Sequence, residues 1–208
     1  MANEKSEVSR LNVESDAHPS QPSSGLEALL RAASEGGGPG GEKTVRPVEK
    51  WNPPYCGDIG MKIRRDGTWM YQGSPIGRIA LVKLFASILR KDDDGRTYLV
   101  TPAEKVDVEV EDAPFLAVEM AVEGEGRTRT ITLRTNVDDV VTVDAEHPLR
   151  FEPSGPDGGL KPYVRVRGRL EALCTRAVYA ELVELAEAGE GGGEEVGVWS
   201  GGKWWVMG

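Results

Sequence analysis

The 208-residue chain has two cysteines, two histidines and no long apolar run, and each scarcity excludes something. Cys56 and Cys174, far apart, make no disulfide framework, so reduced thiols in the cytoplasm are the expectation. His18 lies near the start and His147 precedes Pro148, so a Cys56–His147 nucleophile and base has no local support, and no cysteine–histidine cluster suggests zinc. Asp92-Asp93-Asp94-Gly95 resembles a calcium loop until the register is checked: with Gly95 at the sixth position, Arg90 stands where the first carboxylate belongs. No stretch approaches the ~20 apolar residues of a membrane span, and the polar, acidic start is unlike a signal peptide. A net charge of −9 opposes binding to bulk nucleic acid or anionic membrane. The expectation is a soluble, cytoplasmic protein without metal or cofactor.

What the chain does have is glycine and proline, 26 and 13 residues, concentrated enough near the start to set a tail apart. Residues 1–44 read as a flexible tail with one short helix near 25–34, where Ser24 and Glu27 form a capping box ahead of Leu26, Leu29, Leu30 and Ala33. Gly36 to Gly41 followed by Lys43-Thr44 imitates a phosphate-binding loop. Glu42 occupies the lysine position, no strand precedes it and Pro47 blocks the helix, so it is not one.

From Trp51 onward the pattern tightens. Met61–Arg64 alternates as a strand, Asp66-Gly67 makes a hairpin turn and Trp69-Met70-Tyr71 returns. Ser74 and Pro75 read as the cap and first position of a helix running to about Arg90. Asp94-Gly95 turns the chain into a strand at 97–101, and Val106, Val108 and Val110 alternate in another, giving a β-β-α-β-β unit at residues 45–113. Residues 114–208 form a second, strand-rich unit: strands near 115–123, 127–134, 140–144, 149–152 and 163–167, a helix from about Leu170 to Ala188, and a terminal hairpin over Gly201-Gly202. Gly77-Arg78-Ile79 and Gly168-Arg169-Leu170, each at an expected helix start, hint at a duplicated strand-helix-hairpin theme. Trp204 and Trp205 alternate onto opposite faces of the hairpin, which would leave one indole at a subunit contact or a cleft wall.

Three groups could hold a ligand. In an extended segment, Tyr163, Arg165, Arg167 and Arg169 share one face, suited to a phosphate or carboxylate beside a stacking ring; the same row could equally pair with the mostly acidic row Lys105, Asp107, Glu109 and Glu111 or face solvent. Trp69, Tyr71 and Arg78 sit beside the expected helix start, which attracts anions, although such aromatics also serve as ordinary packing. Glu104, Lys105, Asp112 and Phe115 fall at or beside the junction of the two units, where clefts form and where a salt-bridged hinge is the plainer reading.

Asn52-Pro53-Pro54-Tyr55-Cys56-Gly57-Asp58, Asp66 to Arg78, Tyr98 to Lys105, Glu111 to Phe115 and Gly197-Val198-Trp199-Ser200 resemble, in order, the bacterial Domain of Unknown Function 1285 family across residues 49–208. The resemblance implies an α+β fold of two related subdomains of antiparallel strands, each with a helix, the second loosely similar to a pleckstrin-homology barrel. It also implies a ligand cleft between them and a regulatory role. The expectation is therefore a non-enzymatic regulatory module binding a small anionic ligand, nucleotide-like molecules among them. The alternative is a protein-interaction or scaffold module, or homo-oligomer, using the barrel surface, the terminal hairpin or the tail helix; an enzyme built on Glu104, Lys105 and Asp112 is a third.

Overall fold

The computed structural model describes Arg31 and residues 46–155, 159–189 and 195–207. Arg31 is helical; the rest of the expected tail helix and the glycine-rich stretch lie outside the described residues. The first half of the body runs β1 (Tyr55–Ile63), β2 (Trp69–Tyr71), β3 (Ser74–Pro75), α1 (Ile79–Ser87), β4 (Leu89–Lys91), β5 (Thr97–Val100) and β6 (Lys105–Val110). The second runs β7 (Phe115–Glu123), β8 (Thr130–Thr135), β9 (Val140–Thr142), β10 (Leu149–Ser154), β11 (Gly159–Arg167), β12 (Leu170–Cys174) and α2 (Arg176–Glu184). A small sheet of β13 (Glu187–Ala188), β14 (Val196–Ser200) and β15 (Lys203–Val206) closes the chain. The fold is α+β.

The duplication is one of wiring. The first sheet has the order β3-β2-β1-β6-β5-β4 and the second β10-β11-β12-β7-β8-β9. Counted from its own first strand, each reads 3-2-1-6-5-4: two antiparallel three-strand meanders joined by a parallel pair, β1 with β6 and β7 with β12. The helices do not follow this repeat, since α1 lies between the third and fourth strands of its half and α2 follows the sixth. Gly168-Arg169 is accordingly a turn between β11 and β12, not a helix start, which removes the sequence hint on which the duplication rested and leaves the topology in its place.

Both expected helix starts move for identifiable reasons. Gln72 (φ 46°) and Gly73 (φ 79°) are both left-handed, the geometry of a two-residue hairpin, so Ser74-Pro75 folds back on β2 as an edge strand where the missing proline N–H is tolerated. Helix α1 starts only at Ile79, with Arg78 as an N-cap that makes no side-chain cap. In the second half, Leu170, Ala172 and Cys174 are buried and alternate with half-buried Glu171 and Leu173, a period of two that makes a strand. Thr175 then caps α2, accepting a hydrogen bond from the Val178 N–H at 3.4 Å.

One apolar cluster joins the halves, running from Trp69, Phe85 and Leu99 to Phe115, Ile131 and Leu133. Trp69 stacks on Phe85 with ring centroids 6.3 Å apart. Trp205 turns inward against this core and its Nε1–H donates to the Ser200 carbonyl, while Trp199 and Trp204 meet on the outer face at 5.3 Å. No described helix is long and apolar enough to cross a membrane. Phe85 is fully buried, so Phe85→Ala should lower unfolding free energy by about 3–5 kcal/mol, read from urea denaturation; a loss below about 1 kcal/mol would show that the cluster does not carry the fold.

Candidate ligand-binding cleft

A cleft of about 1030 Å³ opens where the two halves meet. One wall is the β1–β6 pair, the floor is the connector Asp112–Pro114, and the other wall is the β10–β12 meander with Arg150, Tyr163 and Glu171. Side chains of both signs alternate along it, and most are paired within their own wall. Lys62 bridges Glu109 at 3.0 Å and Glu111 at 2.9 Å, and its hydrogen bond holds the Glu111 carboxyl below the usual range. Arg96 meets Asp107 at 2.6 Å, and the same carboxylate accepts from the Tyr55 hydroxyl. Arg150 grips Glu171 through Nε and Nη2 at 2.7 and 2.6 Å and touches Glu152 through Nη1; the Glu171 bond above all holds its guanidinium protonated.

Asp112 anchors the floor. Its carboxylate is only 8% exposed and accepts from Lys161 at 2.7 Å and from the Tyr163 hydroxyl at 2.6 Å, with Arg65 at 3.5 Å. Burial works to raise its pKa, but the Lys161 and Tyr163 hydrogen bonds and the nearby positive charges outweigh it and keep the group below the ordinary carboxylate value. Tyr163 moves the other way, its hydroxyl pushed well up by burial and by donating to Asp112. The three partners come from the β1–β2 turn and from β11, so one carboxylate ties both halves to the connector.

Of the residues expected from sequence, Asp112, Tyr163 and Arg169 line the cleft. Arg169 also reaches across to an ion pair with Asp93 in the β4–β5 turn. The row from Tyr163 to Arg169 is broken: a bulge falls between Arg165 and Arg167, and the turn follows at once, so the four do not share a face. Arg167 instead clasps helix α1, donating to the Ala86 carbonyl, pairing with Asp139 at 2.8 Å and lying over the Phe115 ring at 5.2 Å. Arg165 is exposed and is not on the cleft wall. Trp69 and Phe115 are core residues, Tyr71 packs half-buried against that core, and Arg78 caps α1 away from the cleft. Lys105 pairs with Asp92 at 2.9 Å over the Tyr98 ring, and Glu104 is half-buried with its pKa raised by burial; neither lines the cleft.

Sequence reading overlooked Lys62, Arg64, Lys91, Arg96, Arg150 and Glu171. Arg150 stands opposite Tyr163 in the β10–β11 register, a neighbour that only strand pairing reveals. Among the described residues no group of three or more His, Cys, Asp or Glu is placed to hold a metal ion. Cys56 is exposed, while burial pushes the Cys174 thiol up to about 12, far from a reactive thiolate.

Two sheets of identical wiring fused through one core, with a charged cleft at their connector, define a duplicated α+β module. The chain belongs to the DUF1285 family: the model described as "Domain of unknown function (DUF1285), N-terminal domain" matches residues 46–113, and "Protein of unknown function (DUF1285), C-terminal domain" matches residues 114–207. It is similar to the crystal structure of a DUF1285 family protein from Silicibacter pomeroyi DSS-3, with 44% identity and a TM-score of 0.77 over 86% of this chain and 93% of that one. A DUF1285 family protein from Shewanella baltica OS155 matches at 28% identity over 61% of this chain and 91% of that one, with a TM-score of 0.48. No curated protein matches the chain.

The Asp112 cluster has a pH signature. Its folded pKa is depressed, so its contribution is present above the unfolded value of about 3.9 and disappears as pH falls through the lower folded value. Asp112→Asn should cost about 1–3 kcal/mol at neutral pH and shrink to little difference from wild type in strong acid, by urea unfolding across pH. A penalty independent of pH would show that packing rather than charge carries the effect.

Proposed function

We propose that this protein is a non-enzymatic regulatory module of the cytoplasm that binds a small anionic ligand in the cleft between its halves and passes that binding into signal transduction. Nucleotide-like molecules fall within the ligand class. The observation that carries this reading is a pair of cations that close no salt bridge. Arg64 and Lys91 line the cleft and enter no ion pair among the described residues, in a site where the other cations are neutralised by their neighbours. An anion arriving beside either of them gains charge-assisted hydrogen bonds without breaking an existing ion pair. The volume suits a small molecule, and walls drawn from both halves let occupancy be felt on either side of the connector.

A second reading has its own observation. Trp199 and Trp204 lie half-exposed on the outer face of the terminal sheet, with Arg127 4.9 Å above the Trp199 ring and Val206 47% exposed beside them. Such a patch suits a protein partner or a second copy of the chain.

The deciding experiment is thermal shift against a panel of phosphates, carboxylates and nucleotides, followed by calorimetry of any hit. A lost charge-assisted contact is worth ~1.5–3 kcal/mol, so Arg64→Ala and Lys91→Ala should each weaken binding about ten- to a hundredfold while leaving the melting temperature of the free protein within a few degrees. No stabilisation by any anion, or unchanged affinity in both variants, overturns the cleft reading.

A further inference from the structure

Arg150 occupies a position that the balance of charges does not explain. Strand register sets it directly opposite Tyr163, and its guanidinium carbon lies 4.3 Å from the centre of that ring. The ring is held in turn: Tyr163 is 5% exposed, and its hydroxyl is fixed to Asp112 at 2.6 Å. Nε and Nη2 of Arg150 are spent on Glu171, and Nη1 on Glu152. A guanidinium donates only in its own plane, so these carboxylates use its edge and fix its orientation. The side chain nevertheless remains 39% exposed, and it lines the cleft. What it can still offer to a ligand is its flat flank, beside one remaining N–H on each Nη.

We infer that Arg150 is a stacking platform and that the cleft's ligand carries a planar conjugated ring as well as an anionic group. The inference rests on the anion-binding reading and adds the uncharged part of the ligand. Guanidinium planes stack on aromatic rings, and an electron-rich heteroaromatic base gains further from lying against a cation. Tyr163, expected from sequence to stack a base, is buried beneath Arg150; the arginine stands on it and takes that role. The anion is left chiefly to Arg64 and Lys91, because the charge of Arg150 and three of its five N–H groups are already given to Glu171 and Glu152. A free phosphate or a simple sugar phosphate would satisfy only one part of such a site.

The test compares adenosine 5′-monophosphate with ribose 5-phosphate by calorimetry on the full chain. Wild type should bind the nucleotide at least about tenfold more tightly, the difference reporting the base. Arg150→Lys keeps the charge and loses the plane, so it should bring the two affinities together while leaving ribose 5-phosphate within about twofold of wild type. A purely structural role would instead weaken both probes in parallel and keep their ratio, which overturns the inference. Should that variant fail to fold, wild type decides alone: equal affinities, or no hypochromic change in adenine absorbance at saturation, overturn it. If ribose 5-phosphate binds but the nucleotide binds no better, only the platform falls; if neither binds, the anion-binding reading falls with it.

Discussion

A short connector imposes most of this architecture. In each half the first and last strands pair in parallel and therefore occupy the centre of the sheet, not its edge. Residues 111–114 run from the central strand β6 straight into the central strand β7. With so little chain between them, the two sheets must meet at their middles. The turn of the β1–β2 hairpin is drawn into the same seam: Gly67, at φ 80°, leaves a side-chain-sized gap that Leu116 and Asn136 fill, and Asn136 exchanges backbone and side-chain hydrogen bonds with Leu116. A carboxylate at Asp112 is then inevitably pulled out of water, and the lysine, tyrosine and arginine around it supply the compensation that a buried charge requires.

The same geometry explains why the halves share a core while keeping a cleft. On one side α1 fills the seam, with Phe85 against Trp69 and with Lys83 and the Ala86 carbonyl held by Asp138 and Arg167 of the second half. On the other, the charged walls approach without interpenetrating, because most of their side chains are paired within their own wall and gain little by crossing. Arg169 and Asp93 are the exception, an exposed pair that bridges the mouth.

Much of the fold was legible because its signals are local. Asp66-Gly67 and Asp94-Gly95 turn as their sequences require, with Asp66 and Asp94 accepting from backbone N–H groups two residues on. The terminal hairpin and its opposed indoles follow from alternation alone. The helix starts were misplaced because the same residues satisfy two rules: Ser74-Pro75 suits a helix start and a sheet edge, and Leu170 with Leu173 fits a helical spacing while alternation fits better. The cleft was harder to read. Asp112, Tyr163 and Arg169 could be placed near the seam, but one bulge in β11 scattered the remaining arginines, and Arg150 gains its meaning only from a partner in the opposing strand. Non-local pairing leaves no mark in a single segment.

The edges of the first sheet carry a consequence for how the molecule behaves in a crowd. A bare edge strand invites a strand from a neighbour, the first step toward polymers. Here one edge is Ser74-Pro75, two residues long, with a proline that has no N–H to give. At the opposite edge, β4 lies against the short helical turn at Val48–Lys50, and Arg90 reaches past it to hold the carbonyls of Val48 and Trp51 at 2.7 Å. Neither edge is left as an open template. A sheet finished in this way offers a neighbouring copy no bare edge strand on which to extend it.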